Sequence, residues 1–181
     1  MSRFGYVMSA YIAMLATGVL TLFHPVPRLI WNATASTPIG LYALHPIGQL
    51  HAQELVAARP PEPIASYLAD GGFLPKGVLL LKHVEALPGQ TVCRSGDVVT
   101  VDHVEVGTAL RRDHLGRPLP RWSGCRTLRP GQIFLMNPAV PDSLDGRYFG
   151  PFPVTSIVAR AVPLWTDAAN DGRFVWRGAA D

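Results

Sequence analysis

The hydrophobic and polar positions divide the chain into an apolar beginning and a longer, interrupted remainder. From Phe4 to Phe23 there is no charged side chain, and most residues are Ala, Leu, Val, Ile, Met or Phe. A helix of that length spans roughly 30 Å, the thickness of the hydrocarbon core of a bilayer. The pattern predicts one N-terminal transmembrane helix, with residues 1–23 as a membrane anchor and residues 4–23 in the lipid bilayer.

A cleaved secretory signal is the alternative interpretation of this run, because Ala33-Thr34-Ala35 fits the small-x-small cleavage pattern. The apolar part of a signal runs to about 15 residues, however, and His24–Ala35 would be a long, proline-interrupted segment before the cleavage site. The length of the run therefore favours an anchor. Arg3 on one flank is opposed only by His24 and Arg28 on the other, so charge alone leaves the orientation open.

After the apolar run, the chain is broken into short segments that are typical of strands. Seventeen prolines and seventeen glycines occur in the chain, and the runs between them are rich in Val, Leu and Ile. These runs are Val78–Val84, Val98–Val106, Ile133–Met136 and Ile157–Leu164. Gln53–Ala58 fits a helical turn or a strand, and Ile64–Ala69 predicts a short helix that ends at Asp70-Gly71-Gly72. The pattern predicts a mostly β fold.

Composition limits this fold to one domain. With 181 residues, 48% of them hydrophobic and 16% charged, the chain can bury one sizeable core, which we assign to residues 24–181. The net charge of +3 comes from 14 arginines and 2 lysines that stand singly along the sequence. Because they form no basic stripe, nucleic acid is not expected as a partner.

Two cysteines, Cys93 and Cys125, lie in a polar part of the sequence. In an exported domain they would form a disulfide that closes a loop of about 30 residues and contributes on the order of 3 kcal/mol. In a cytosolic domain they would be core thiols. The stretch at about 93–130 predicts a polar excursion from the β domain. Since the sequence has no C-x-x-C pair and no His/Cys cluster, neither a metal site nor a cofactor is expected.

Lys82 is the lysine whose sequence position suits a general base. In the alternating run Val78–Val84 it shares a strand face with Leu80 and Val84, so its own neighbours are apolar. Desolvation disfavours the ammonium form and lowers a lysine pKa by up to several units, which yields a base usable near neutral pH. The alternative is a solvent-facing lysine on an edge strand, a common means of discouraging strand pairing. The other lysine, Lys76, stands between proline and glycine and is interpreted as a turn residue.

Ser36 is the candidate nucleophile. A serine near a proline often only starts a turn. Here, however, Pro38 fixes the backbone, Gly40 permits a close approach, and Thr34 offers a second hydroxyl on the same side of an expected extended segment. A nucleophile needs an exposed hydroxyl and nearby donors for an oxyanion, and this segment contains both.

Three segments together resemble a known family. Asn32–Tyr42, Leu79–Gly89 and Asp142–Gly150 occur in the order found in the signal peptidase I superfamily of serine peptidases, and most closely resemble its TraF-type conjugal-transfer members. Housekeeping leader peptidases usually carry Ser-Met-x-Pro, whereas this chain has Ser-Thr-Pro, as TraF-type enzymes do. Gln90 replaces a usual acidic residue, and His83 stands where arginine is common.

The resemblance implies a signal-peptidase-like β fold and a role for each matching residue. Ser36 would be the nucleophile and Lys82 its general base, a Ser-Lys variant of the catalytic triad that needs no histidine. The Ser36 N–H and the Thr34 hydroxyl would hold the oxyanion, and Ser143 would orient the lysine amine. Asp145 and Arg147 would form a supporting pair, the aspartate being implicated in activity in TraF-type enzymes. A surface salt bridge is the alternative for that pair.

The function that the resemblance implies is that of a membrane-anchored serine endopeptidase. It would be a single-pass protein of the bacterial inner membrane, with its catalytic domain in the periplasm, and its partner would be an exported precursor protein such as a conjugative pilin. The product would be released by hydrolysis or by cyclisation, and the sequence does not choose between them. Two other classes stay open: a non-catalytic scaffold of a secretion or conjugation complex, and a Ser-Lys autoprotease of the repressor type. The predicted anchor, and the absence of an obvious self-cleavage linker before Ser36, argue against the autoprotease.

Overall fold

The computed structural model describes residues 3–22 and 28–177. Its first element is helix α1 (Arg3–Leu22) of 20 residues, whose apolar side chains from Phe4 to Val19 are exposed, with Phe4 and Met14 at 74% each. Among the described residues, no helix is long and apolar enough to cross a membrane. The predicted transmembrane helix over residues 4–23 is therefore not confirmed, and its last residue, Phe23, lies outside the described ranges.

The described part of the chain after α1 is mostly β, as predicted. Its strands are β1 (Leu29–Asn32), β2 (Ile39–His45), β3 (Leu55–Ala58), β4 (Leu80–Ala86), β5 (Thr91–Ser95), β6 (Val98–Val101), β7 (Val104–Thr108), β8 (Gly124–Thr127), β9 (Gln132–Met136), β10 (Phe152–Pro153), β11 (Ile157–Asp167) and β12 (Val175–Trp176). The helices that accompany them are α2 (Glu62–Asp70) and α3 (Gly146–Phe149), and a 3-10 turn spans Val154–Ser156.

These strands form two sheets with antiparallel pairing. The larger sheet has the order β1-β2-β11-β3-β4-β9-β10, with β12 pairing to β11 as its eighth strand, and the smaller has the order β7-β6-β5-β8. In the larger sheet β4 lies between β3 and β9. The strand that carries Lys82 is therefore an interior strand of its sheet.

Hydrophobic residues from both sheets form the core. One cluster lies between the larger sheet and α2, and includes Val56, Leu68 and Val84. A second cluster lies against the smaller sheet and includes Val92, Val99 and Phe134. Strand β4 contributes to both, with its first residue, Leu80, in the first cluster and its last residue, Ala86, in the second. Both ends of β4 are thus fixed by packing.

Several predicted elements are confirmed, and one of the predicted strands is instead a hairpin. Residues 53–58, for which two interpretations were open, contain the strand β3, and the predicted helix Ile64–Ala69 is part of α2. The run Val98–Val106 was expected to be one strand but is the β6-β7 hairpin. Asp102 and His103 turn the chain there with φ of 47° and 71°. Two consecutive residues with positive φ are typical of a tight hairpin turn.

The stretch at 93–130, for which a polar excursion is predicted, contributes most of the smaller sheet. Cys93 and Cys125 face each other across β5 and β8 and are joined in a disulfide. The irregular part is the β7-β8 connection. It is held against the turn after α2 by Arg117, which donates to the Gly71 carbonyl (2.8 Å) and stacks over Phe73.

Candidate active site

Lys82 is buried in the centre of the larger sheet. Its exposed fraction is 2%, and it pairs with Val56 of β3 in the strand register. Burial lowers the pKa of Lys82 from 10.5 to about 8; nearby Asp145 and Asp142 act in the opposite direction, and Arg147 adds to the lowering. The interpretation as a solvent-facing edge lysine is therefore wrong. An appreciable fraction of this amine is neutral near pH 7, as a base requires.

Ser143 is the hydrogen-bond partner of that amine. The Lys82 Nζ donates to the Ser143 Oγ at 2.6 Å, across 61 residues of sequence. Ser143 is itself buried. The contact fixes the direction of the Lys82 amine. Orienting this amine is the role that the resemblance implies for Ser143.

Ser36 lies on a turn before β2, where an extended segment was expected. Residues 34–37 turn, and this brings the Thr34 Oγ1 to 3.3 Å from the Ser36 Oγ. Thr34 also donates its hydroxyl hydrogen to the Asn32 Oδ1 at 2.8 Å. A hydroxyl has one hydrogen, so Thr34 accepts from Ser36 in this arrangement. Its hydroxyl would have to rotate to donate to an oxyanion.

Asn32 holds the turn together from the end of β1. Its Nδ2 lies 2.8 Å from the Thr34 carbonyl, 3.1 Å from those of Thr37 and Pro38, and 2.9 Å from the Thr37 Oγ1. Past the turn, Gly40 sits where β2 meets β11, and a Cβ there would collide with the Trp165 carbonyl oxygen. The close approach expected at Gly40 is confirmed. Asn32 and Gly40 together set the path of the chain on either side of Ser36.

Asn137 is a site residue that the sequence did not single out. Its Nδ2 donates to the Ser36 carbonyl at 2.7 Å and to the Leu81 carbonyl at 3.0 Å, and its Oδ1 accepts from the His83 N–H at 3.3 Å. Its own N–H donates to the Asp145 Oδ2 at 3.0 Å. One buried amide therefore joins the Ser36 turn to the residues on both sides of Lys82.

Asp145 and Arg147 form a buried pair, so the interpretation as a surface salt bridge is wrong. Their side chains are 0% and 1% exposed, and two N–H groups of the guanidinium contact the two carboxylate oxygens at 3.0 and 2.9 Å. Arg147 also donates to the carbonyls of Val140 and Ser143. The pair closes the loop that presents Ser143 to Lys82. Because the pair is buried, replacing either partner would leave an unpaired buried charge and destabilise the protein.

A cavity of about 460 Å³ joins the candidate residues. Ser36, Thr34, Lys82 and Ser143 all line it. Its walls are otherwise mainly apolar, with Leu68, Phe73, Leu80 and Leu144 among them. No hydrogen bond links Ser36 directly to Lys82 among the described contacts, so the two groups meet across this cavity, which we call the near cavity.

The arrangement is suited to nucleophilic catalysis by a hydroxyl and a neutral amine. A serine hydroxyl is a weak nucleophile until a base takes its proton, and a buried lysine with a lowered pKa can serve as that base. Within the ranges 3–22 and 28–177, no three His, Cys, Asp or Glu side chains lie together as a metal site would require.

A family model and several curated relatives match most of this chain. The family model "Signal peptidase, peptidase S26" matches residues 1–165. The conjugal transfer protein TraF of Agrobacterium fabrum is 32% identical over 148 residues, covering 75% of this chain and 81% of that protein. A probable conjugal transfer protein TraF of Sinorhizobium fredii is 36% identical, with 76% and 77% covered, and a plasmid transfer protein TraF of Escherichia coli is 31% identical, with 75% and 81% covered.

A solved structure is also similar, the signal peptidase I of Enterococcus faecalis V583. It matches at 19% identity and a TM-score of 0.38, covering 63% of this chain and 97% of that one. The sequence matches alone define the class, which is that of the signal peptidases, a class of serine peptidases. The chain belongs to peptidase S26, and within it to the TraF type.

Proposed function

We propose that this chain is a serine endopeptidase in which Ser36 is the nucleophile and Lys82 is the general base. The observation that carries the proposal is the buried Lys82 amine, with its pKa lowered to about 8, in the same cavity as the Ser36 hydroxyl. The neutral amine takes the proton of Ser36 as its Oγ attacks the scissile carbonyl carbon. The C–N bond then breaks, the proton passes to the leaving amine, and an ester of Ser36 remains.

The oxyanion of the tetrahedral intermediate is held by the Ser36 N–H and the Thr34 hydroxyl. Each such donor contributes about 3 kcal/mol in comparable sites. The Thr34 hydroxyl rotates away from Asn32 to donate, and the 3.3 Å distance between the two hydroxyl oxygens keeps it beside the reacting serine. Ser143 orients the Lys82 amine, and the Asp145-Arg147 pair holds the loop that carries Ser143.

The substrate in this proposal is an exported precursor protein with a role in conjugal transfer, such as a pilin-like protein. Support comes from the relatives, which are named as conjugal or plasmid transfer proteins. The apolar near cavity fits an apolar segment before the scissile bond. The proposed location is the bacterial inner membrane, with residues 4–23 in the bilayer and residues 24–181 as the periplasmic domain. The Cys93-Cys125 disulfide favours that oxidising compartment.

The ester of Ser36 can be resolved in two ways. Water releases a linear product, with Lys82 again as the base, whereas the amino terminus of the same substrate would release a cyclic one. Mass spectrometry of the processed substrate separates these products, because the linear form is heavier by one water.

The test of the proposed function is cleavage of candidate precursors co-expressed with the full chain. We expect cleavage by the wild type and by Ser123→Ala, which alters an exposed serine outside the near cavity. We expect none by Ser36→Ala or Lys82→Ala. If both of those variants support the same precursor processing as the wild type, the chain acts as a scaffold and the proposal is wrong.

A further inference from the structure

A second cavity lies on the face of β4 opposite to the near cavity. Lys82 lines the near cavity and its neighbour His83 lines the second, as expected for adjacent strand residues that point to opposite faces. The second cavity has a volume of about 410 Å³, and we call it the far cavity. Ala35 and Ser36 line both cavities, so the candidate nucleophile lies where they meet.

We propose that the far cavity binds the part of the substrate that follows the scissile bond, the segment that leaves as an amine. The inference rests on the proposed peptidase function. A peptide whose scissile carbonyl reaches the Ser36 Oγ extends away from it in both directions, and a cavity lies on each side. The walls of both cavities are mainly apolar, so their charged groups decide the direction. The near cavity contains the Lys82 amine and Asp142, whereas the described lining of the far cavity contains one carboxylate and no lysine or arginine.

The charge of the far cavity supports placing the segment after the scissile bond there. Among the described residues that line it, Asp167 is the one carboxylate and there is no lysine or arginine. Asp167 is 7% exposed, and its carboxylate oxygens accept the backbone N–H groups of Asp171 and Gly172 at 3.1 and 3.0 Å. A fixed, buried carboxylate favours a cation nearby. Cleavage creates one, because the new amino terminus becomes protonated after it leaves.

The rim of the far cavity favours access by a side chain. Ala139, after β9, and Ala168, after β11, both line it and are both exposed. Two small side chains on separate segments leave the entrance wide. The site therefore fits a leaving segment whose first residue is neutral or basic, and disfavours an acidic one.

The test uses substrates that are identical up to the scissile bond and carry Gly, Leu, Lys or Asp as the next residue. With the wild-type full chain, we expect kcat/KM for Lys to exceed that for Asp by about tenfold. The substitution Ala168→Trp narrows the entrance, so we expect it to lower kcat/KM for the Leu and Lys substrates about tenfold more than for Gly. The matched control is Ala169→Trp, an exposed neighbour that does not line the far cavity, and it is expected to match the wild type.

Equal kcat/KM for all four substrates in the wild type would overturn this assignment, as would a uniform loss in Ala168→Trp or the same loss in Ala169→Trp. A second measurement is the binding of the leaving peptide to Ser36→Ala by calorimetry. We expect acetylation of its amino terminus to weaken Kd at least about fivefold, and an unchanged Kd would overturn the assignment. Failure of the proposed function has a different signature: cleavage by Ser36→Ala, or no cleavage of any substrate by the wild type, would remove the basis of both.

Discussion

Replacing the buried Lys82 by methionine should stabilise the protein at neutral pH while it abolishes activity. The pKa of this amine is about 8 in the folded chain, against 10.5 as its usual value. Below pH 8 the Lys82 amine is mostly protonated in the folded chain, although its burial disfavours the charged form. At about 1.36 kcal/mol per unit, this costs about 3 kcal/mol at pH 7. Methionine removes that cost but leaves the Ser143 hydroxyl without its amine partner, a loss of about 1 kcal/mol. The net expectation is a gain of about 2 kcal/mol in the free energy of unfolding.

The sign of the pH dependence makes the prediction specific. The folded-state pKa of Lys82 is the lower one, so the unfolded chain binds more protons between about pH 8 and 10.5, and wild-type stability rises with pH in that window. The advantage of Lys82→Met should therefore disappear by about pH 10. The assay is denaturant unfolding of the full, disulfide-intact chain at both pH values.

The matched control for this experiment is Lys76→Met. Lys76 is an exposed lysine whose pKa is raised by its hydrogen bond and charge interaction with Glu62. Its removal should give no gain at pH 7, since the raised pKa means that the protonated form is favoured in the folded chain. A Lys82→Met variant that is less stable than the wild type at pH 7, or a stability difference that is the same at both pH values, would refute this prediction.

Three further predictions concern activity and stability. If Lys82 acts as the neutral base, kcat/KM should rise about tenfold from pH 7 to pH 9 as the amine loses its proton, because its pKa is about 8; a flat profile with chemistry limiting would exclude that role. Asn137→Ala removes the hydrogen bonds to the carbonyls of Ser36 and Leu81 and should lower kcat about 10- to 100-fold, with the midpoint of the pH profile unchanged; an undiminished kcat would show that the amide does not position the serine. The double change Cys93→Ser and Cys125→Ser removes a disulfide that spans 32 positions. It should lower the free energy of unfolding by about 3 to 4 kcal/mol in denaturant; an unchanged free energy of unfolding after reduction of the wild type would contradict this.

Local pattern was sufficient to predict the strand that carries Lys82 and the apolar neighbours of this lysine. The two-residue alternation of Val78–Val84 identified a strand and the apolar neighbours of the lysine, and β4 is observed over Leu80–Ala86. The same pattern could not tell an interior strand from an edge strand. That distinction depends on pairing with β3 and β9, which lie far away in sequence. The burial that lowers the pKa of Lys82 is therefore a property of the fold and not of the segment.

One part of the site that the sequence did not predict depends on contacts of the same long-range kind, and the other missed features are local. Asn137 contacts Ser36 across 101 residues of sequence and Leu81 across 56. No sequence motif predicts such contacts for an asparagine that follows a strand. The turn around Ser36 was missed because its hydrogen bonds centre on Asn32, a side chain that also fits an extended strand end. The hairpin at Asp102 was missed because Asp-His lacks the glycine that usually marks two consecutive positive φ angles.

The central claim is that Ser36 forms a covalent ester with the substrate after Lys82 takes its proton. The most direct measurement is mass spectrometry of the full chain after acid quenching of a reaction with a cleavable precursor peptide. We predict an added mass equal to the segment before the scissile bond, located on the peptide that carries Ser36, and absent from Ser36→Ala and Lys82→Ala. An adduct on any other residue, or cleavage by Ser36→Ala at the wild-type rate, would contradict the account.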